Sequence, residues 1–330
     1  MNEYHPWLHR YAAFVAFCTF LLIIAGALVT GNDAGLSVPD WPTSFGTFRM
    51  PRMVGGIMYE HGHRMIAGTV GILTIILAIW IWRQDSRRWI RWVGFAAVMA
   101  VLAQAVLGGI TVLWYLPLAI STAHATLAQI FFCLAASLAF FTGADWNWDE
   151  TKLEDTSTPS FQHLTMITTG AILVQLILGA VYRHANEGVI IQVWGNGQAA
   201  SFNGMLHRSN EGLIALHIVG ACVVTLLVGW VVSTVLMRFA NQPGLLHPAL
   251  LLVGLLVAQL FLGIGSLIMK MAAWDAPQPL PPVVDVTTAH LAVGALLLVT
   301  SLYLTYQGRR FLMNPKQEMK IAPTPHQATT

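Results

Sequence analysis

Residues 63–83 read HRMIAGTVGILTIILAIWIWR, and their character decides the fold. No charged side chain stands between Arg64 and Arg83, so the run is apolar over the ~30 Å of a hydrocarbon core, which about 20 helical residues cross. A spanning segment has to satisfy its backbone groups internally, which predicts a transmembrane helix. Seven further runs of the same kind lie at approximately 11–30, 92–113, 121–142, 163–182, 213–237, 247–269 and 287–307. The first lacks a clear small-residue cleavage site and is read as a retained helix rather than a signal peptide.

Composition agrees with eight spans. Of 330 residues, 56% are hydrophobic and 10% charged, against roughly 25% charged in an ordinary soluble domain. So few charges cannot cover a soluble surface, and the 17 Lys and Arg against 15 Asp and Glu give no case for nucleic acid. Cys18, Cys133 and Cys222 stand far apart in apolar runs and offer neither a disulfide framework nor a CxxC site. Basic residues matter by placement. With the N-terminus inside, Arg10, Arg83, Arg87, Arg88, Arg91, Lys152, Arg238, Arg309, Arg310, Lys316 and Lys320 are cytoplasmic, 11 of the 17. This bias predicts both termini in the cytoplasm of a multi-pass cell-membrane protein.

The two halves resemble each other. Gly26-Ala27-Leu28-Val29 pairs with Gly179-Ala180-Val181-Tyr182, and Ala103-Gln104-Ala105-Val106-Leu107-Gly108 with Ala258-Gln259-Leu260-Phe261-Leu262-Gly263, at offsets of 153 and 155. Thr122-Ala123-His124 pairs with Thr288-Ala289-His290, the added spacing falling in the Pro-rich loop around Pro277–Pro282. The expected architecture is an all-α integral membrane protein of two tandem, pseudo-symmetric four-helix bundles in parallel orientation. Residues 1–143 form the first, 144–160 a cytoplasmic linker, 161–310 the second, and 311–330 a polar cytoplasmic tail. The repeat also matches His63 with His217 and leaves His207 ten residues too early, in a loop.

His63, His124, His217 and His290 thereby fall within about the first turn of even-numbered spans, ~5–6 Å below the helix start and near the outer face. Intramembrane ionisable groups are functional candidates by default. Two histidines at matching depth on facing helices can take both axial positions of a haem iron, giving the pairs His63 with His124 and His217 with His290. Zinc fits less well, since no cluster supplies three or four ligands at its spacing. The other histidines, at 5, 9, 61, 163, 184, 207, 247 and 326, fall to termini, loops or span edges.

In Tyr59-Glu60-His61-Gly62-His63-Arg64, Glu60 shares a helical face with His63 if the turn is helical. A carboxylate there can accept a proton or stabilise developing positive charge, while Arg64 can pair with a haem propionate or snorkel to the interface. The matching place in the second half is Ile214. That asymmetry argues for one catalytic and one electron-transfer haem. The first outer loop, residues 31–42, is rich in turn formers and can fold over the bundle mouth as a lid or lie as an ordinary surface loop.

On these residues the chain resembles the heme A synthases of the cytochrome-oxidase assembly family, from about residue 8 to 310. The resemblance is carried by Gly-Leu-Ser-x-Pro-Asp-Trp-Pro at 35–42, Glu-x-x-His-Arg at 60–64, and the two Thr-Ala-His elements. It implies oxidation of the C8 methyl group of heme O to a formyl group, by successive hydroxylations and dehydration of the gem-diol. It further implies heme O near Glu60, His63 and His124, and a heme b cofactor on His217 and His290. Oxygen would come from water after electron removal, with Glu60 stabilising a carbocation or positioning that water. The partners it admits are heme O, a heme O synthase, a quinone or other electron acceptor, membrane lipid, and further copies of the chain. Some bacterial members carry a loop cysteine pair; Val38 and Ser44 stand at the corresponding places here. The alternative is a non-enzymatic di-haem cytochrome passing electrons between a quinone and a partner. A tandem-repeat transporter explains the histidines poorly, because it predicts polar residues near the midplane.

Overall fold

The computed structural model describes residues 4–147, 152–196, 199–273 and 276–313, and the side chains of 145, 147 and 186–210 lie outside the described residues. Its helices are α1 (Pro6–Gly31), α2 (Gly56–Gln84), α3 (Arg88–Leu113), α4 (Leu118–Thr142), α5 (Phe161–Asn196), α6 (Ala199–Arg238), α7 (Pro243–Ala272) and α8 (Pro281–Phe311). Each of the eight contains a stretch long and apolar enough to cross a membrane, so the chain is an all-α multi-pass membrane protein. Among the described residues, β structure amounts to β1 (Leu153–Glu154) in parallel pairing with β2 (Leu312–Met313), and one isolated bridge between Ser44 and Thr47.

Proline in the first turn starts α1, α7 and α8, where its fixed φ suits a helix and its missing N–H is not needed. The sharp turn from α2 to α3 is tied by Asp85, which is 2% exposed. Its carboxylate accepts the Arg87 Nε, Nη2 and backbone N–H at 3.0, 2.7 and 2.9 Å. The segment before α5 is also bound down. Asp155 accepts the Phe161 amide at 2.7 Å and donates its own amide to the Met313 carbonyl at 2.8 Å.

Helix neighbours close two rings, α1–α2–α3–α4 and α5–α6–α7–α8, which meet through α1, α4, α5 and α8. The first ring buries Leu77, Ile81, Ile90 and Leu138, the second Ile172, Val228, Leu252 and Leu298. Between them Ile23, Phe132, Ala136, Ala295 and Val299 form a third apolar cluster. Lipid supplies no hydrophobic drive between helices, so polar contacts also hold that seam. Ser137 of α4 and Tyr306 of α8 share a hydrogen bond of 2.9 Å, and Arg183 of α5 donates to the Ala27 carbonyl of α1 at 3.2 Å.

Phe14, Phe17 and Leu21 of α1 and Ile72, Ile75, Ile76 and Ile79 of α2 are exposed, the pattern expected of lipid-facing surfaces. Trp82, Trp89 and Trp92 gather beside the arginines at one end, and Trp114 and Tyr115 lie exposed at the other. Trp92 and Trp114 are 22 residues apart, ~33 Å along a helix, as two interfacial aromatic belts require.

Two expectations need correction. The candidate histidines do not lie in the first turn: His63 is seven residues into α2, His124 six into α4 and His290 nine into α8. At 1.5 Å per residue these depths are ~9–14 Å. The polar residues before His63 are helical because partners in the loop satisfy them, so α2 starts earlier than its apolar run. Likewise α6 begins at Ala199, so the backbone at His207 is helical and not a loop. The side chains of His207 and Arg208 lie outside the described residues.

Candidate functional site

Each of the four predicted histidines rests on a glycine of the preceding helix. A Cβ on Gly26 of α1 would stand 3.1 Å from His63 Cε1, and the same atom of His124 is 3.1 Å from that position on Gly108 of α3. A Cβ on Gly179 of α5 would likewise stand 3.0 Å from His217 Cε1, and one on Gly263 of α7 3.1 Å from His290 Cε1. A side chain at any of these positions would crowd the ring, so the glycines let an imidazole approach the neighbouring backbone closely, Cε1 foremost. They are the same glycines that bound the repeated segments of the sequence, Gly26 and Gly179 opening one pair and Gly108 and Gly263 closing the other.

The rings come in twos. His217 and His290 have centroids 6.4 Å apart with planes at 74°. An imidazole–metal bond is about 2 Å, so two imidazoles on opposite sides of one iron place their centroids roughly 6 Å apart. His63 and His124 lie within electrostatic reach of each other in the first ring. Nδ1 of His63, His124 and His290 is buried with no hydrogen-bond partner, which is unfavourable for a histidine kept only for packing. Among the described residues no three His, Cys, Asp or Glu side chains converge. Paired, glycine-cradled imidazoles therefore fit a haem, whose iron takes two axial ligands, better than a metal needing a cluster.

Glu60 lies one turn before His63 and is buried, at 4% exposure, which excludes an exposed carboxylate on the outer loop. Its Oε2 accepts the Val38 amide at 2.7 Å and its Oε1 accepts Arg64 Nη2 at 2.5 Å. Arg64 spends its remaining terminal hydrogens on the loop. Nη2 donates to the Val38 carbonyl at 3.0 Å, and Nη1 to those of Asp40 and Thr43 at 2.7 and 3.1 Å. With both terminal nitrogens engaged inside the protein, Arg64 is a clamp between helix and loop.

The loop has its own lock. The Asp40 carboxylate accepts the Thr43 hydroxyl and the amides of Gly46 and Phe45, the latter two at 2.8 and 2.7 Å. These donors hold it at about 2, below the usual carboxylate value, with the Thr43 hydroxyl contributing most. Trp41 then lies on α3: a Cβ at Gly109 would stand 2.6 Å from its ring. A Cβ at Gly35 would stand 3.4 Å from the side chain of Leu116, just past the end of α3. The loop thus covers the mouth of the first ring. Val38 and Ser44 join the same network, Val38 through its amide to Glu60 and Ser44 through its hydroxyl to His61 Nδ1 at 2.9 Å. In the second ring Ile214 stands one turn before His217, with no carboxylate at the place of Glu60.

Sequence reasoning missed the seats. Gln104, Gln175 and Gln259 each stand four residues before a histidine-bearing glycine. Gln175 Nε2 is 2.8 Å from the His217 carbonyl and 3.0 Å from its Nδ1. Gln104 Nε2 donates to the His124 carbonyl at 3.0 Å, and Gln259 Nε2 is 3.3 Å from His290 Nε2. The signal, Gln-x-x-x-Gly on α3, α5 and α7, lay partly inside the aligned segments, which contain Gln104 and Gln259.

The model of the cytochrome oxidase assembly protein family (COX15-CtaA) matches residues 52–302. The chain is 27% identical over 198 residues to a heme A synthase of Lysinibacillus sphaericus (strain C3-41), covering 58% of this chain and 62% of that protein. It is 33% identical over 106 residues to that of Alkalihalophilus pseudofirmus (strain ATCC BAA-2126 / JCM 17055 / OF4), covering 32% and 36%. Both alignments span less than two thirds of the relative's length. The heme A synthase of Geobacillus kaustophilus (strain HTA426) is 24% identical over 262 residues, covering 78% of this chain and 80% of that protein. With about three quarters of its length inside the family model, and with the helices and paired histidines above, this chain belongs to the cytochrome oxidase assembly protein family.

Proposed function

We propose that this chain is a heme A synthase, an oxidoreductase that converts the C8 methyl group of heme O to the formyl group of heme A by two hydroxylations and loss of water from the gem-diol. The observation that carries this reading is an asymmetry: both rings hold a glycine-seated histidine pair, but the carboxylate one turn before the ligand, Glu60, has Ile214 as its counterpart. In a plain electron carrier that carboxylate would only tune a potential or move protons.

In this reading heme O is held by His63 and His124, and the covering loop excludes bulk water from the first ring. Each hydroxylation that draws oxygen from water releases two electrons and two protons. Glu60 stabilises positive charge developing at the methyl carbon and holds the incoming water or takes its proton. Arg64 positions Glu60 and the loop together. A b-type haem on His217 and His290 supplies a one-electron relay from the substrate site to an acceptor such as a quinone. The two rings, 1–143 and 161–310, descend from one duplicated four-helix unit joined by 144–160, with 311–330 as a tail. Both termini are cytoplasmic and both sites lie toward the outer face.

Co-expression with a heme O source, followed by extraction and chromatography of the haems, tests the reaction. Heme A or its hydroxylated precursor is expected, and Glu60→Ala should retain haem while losing formyl product. Haem-loaded protein that yields neither compound would refute the synthase and leave the di-haem cytochrome. His217→Ala should abolish the second haem and His207→Ala should not.

A further inference from the structure

At the end of the molecule where the arginines gather, a cavity of about 610 Å³ lies between α4 of the first ring and α7 and α8 of the second. It is separate from the histidine sites: Gln307, in its wall, stands 17 residues beyond His290 on α8, ~25 Å along the helix. His247 and Leu251, on the α7 side, are exposed, so the cavity opens sideways to the membrane. Its chemistry changes with depth. Arg310, Gln307 and His247 line the part near the helix ends, and Leu251 and Val299 the deeper part. Val299 and Arg310 are 11 residues apart, ~16 Å on α8. None of the lining residues is acidic.

Two acceptors in the polar part lack the donors their surroundings would normally give. Gln307 is 4% exposed; its Nε2 donates to the Tyr303 hydroxyl at 2.7 Å, while its Oε1 is buried with no hydrogen-bond partner. Pro248 stands inside α7 and has no N–H for the Gly244 carbonyl, four residues earlier, which a regular helix satisfies from that position. Acceptors left in this way suit a ligand that brings hydroxyl donors. We propose that the cavity holds a glycerophospholipid with an anionic, hydroxyl-bearing headgroup, of the phosphatidylglycerol kind. Its phosphate takes the Arg310 guanidinium, whose forked donors match phosphate oxygens. Its headgroup hydroxyls donate to Gln307 Oε1 and the Gly244 carbonyl, and an acyl chain runs inward past Leu251 and Val299. Basic pockets between spanning helices take anionic headgroups on the same physical grounds. Bound there, the lipid touches helices of both rings and adds a bridge across the seam that Ser137 and Tyr306 also hold.

The test uses the full chain, delipidated in detergent and titrated with phosphatidylglycerol or phosphatidylethanolamine of matched acyl chains, with bound lipid counted by native mass spectrometry. One phosphatidylglycerol per chain should bind, about tenfold or more ahead of phosphatidylethanolamine, and should raise the melting temperature. Arg310→Gln should weaken phosphatidylglycerol roughly 10- to 100-fold, the range for one hydrogen bond to a charged group, and remove the preference. Leu251→Trp should fill the deeper part and abolish both binding and the rise in melting temperature. Equal binding of the two lipids by the unmodified protein would overturn the proposal, as would phosphatidylglycerol binding that survives both substitutions. So would glycerol 3-phosphate competing as well as the lipid, or a quinone or second chain lost from the Leu251→Trp protein while phosphatidylglycerol stays. If either variant fails to fold, the lipid preference and the glycerol 3-phosphate competition of the unmodified protein still decide.

Discussion

Gly108 and Gly109 are neighbours on α3 that seat different things, His124 on one and Trp41 on the other, and alanine at each separates ligand from loop. Both changes gain about 1 kcal/mol of helix propensity, so that effect cancels in the comparison. At Gly108 the new methyl meets one ring atom at 3.1 Å, and a shift of a few tenths of an ångström relieves it. At Gly109 it meets three indole atoms at 2.6, 2.8 and 2.9 Å, which no small shift relieves, and Trp41 has to leave. A fully buried aromatic hides about 150–250 Å²; Trp41 is 37% exposed, so undocking uncovers roughly 100–150 Å², or about 3 kcal/mol at 25 cal/mol per Å². An undocked indole finds partial shelter in the membrane interface, which leaves about 2 kcal/mol, a ~30-fold shift toward the open loop. Arg49 and Arg52 are exposed in that loop and report on it as trypsin sites. Gly109→Ala should raise cleavage there about 30-fold with the haem spectrum unchanged, while Gly108→Ala should alter the spectrum of the first haem and leave cleavage alone. Equal cleavage in the two variants would refute the assignment of separate seats.

Three further outcomes follow from the same geometry. Arg64→Lys keeps a positive charge but cannot span Glu60 and three carbonyls with one ammonium, so tryptic cleavage of the loop should rise and formyl production fall; unchanged values would remove Arg64 from the clamp. The Asp40 carboxyl is held at about 2, below its ordinary value, so its contribution to the loop is fully present above about pH 4 and is lost as pH falls toward 2. Amide hydrogen exchange at Phe45 and Gly46 should follow that course after correction for intrinsic rates, and in Asp40→Asn protection should be weaker and flat with pH. Tyr306→Phe removes the hydroxyl that meets Ser137 across the seam, about 1 kcal/mol for one hydrogen bond, read as a fall of roughly 2 °C in melting temperature; a shift of the haem spectrum instead would show that the seam reaches the sites.

The eight spans were legible because an apolar run of this length has few other fates, and the four histidines because the repeat aligned them. What the sequence hid was whatever depended on distant partners. The apolar run of α2 begins at His63, yet the helix begins at Gly56, since Glu60 and His61 find Val38 and Ser44 more than 15 residues away in the chain. Arg64 looked available for a propionate because three of its four acceptors, the carbonyls of Val38, Asp40 and Thr43, lie on a loop that folds back over it. Gln104 and Gln259 stood inside the quoted repeat, but their meaning depends on which histidine lies across from them, and that follows only once the helices are paired.

In every case the glycine and the histidine it seats belong to consecutive helices, α1 with α2, α3 with α4, α5 with α6 and α7 with α8. Each imidazole is therefore placed by a local hairpin, before the rings need to close. The two histidines of a pair belong to different hairpins. A group bound between them is consequently a cross-link, and occupancy stabilises the closed ring by mass action. If that group is a haem, its supply would bear on assembly as well as activity.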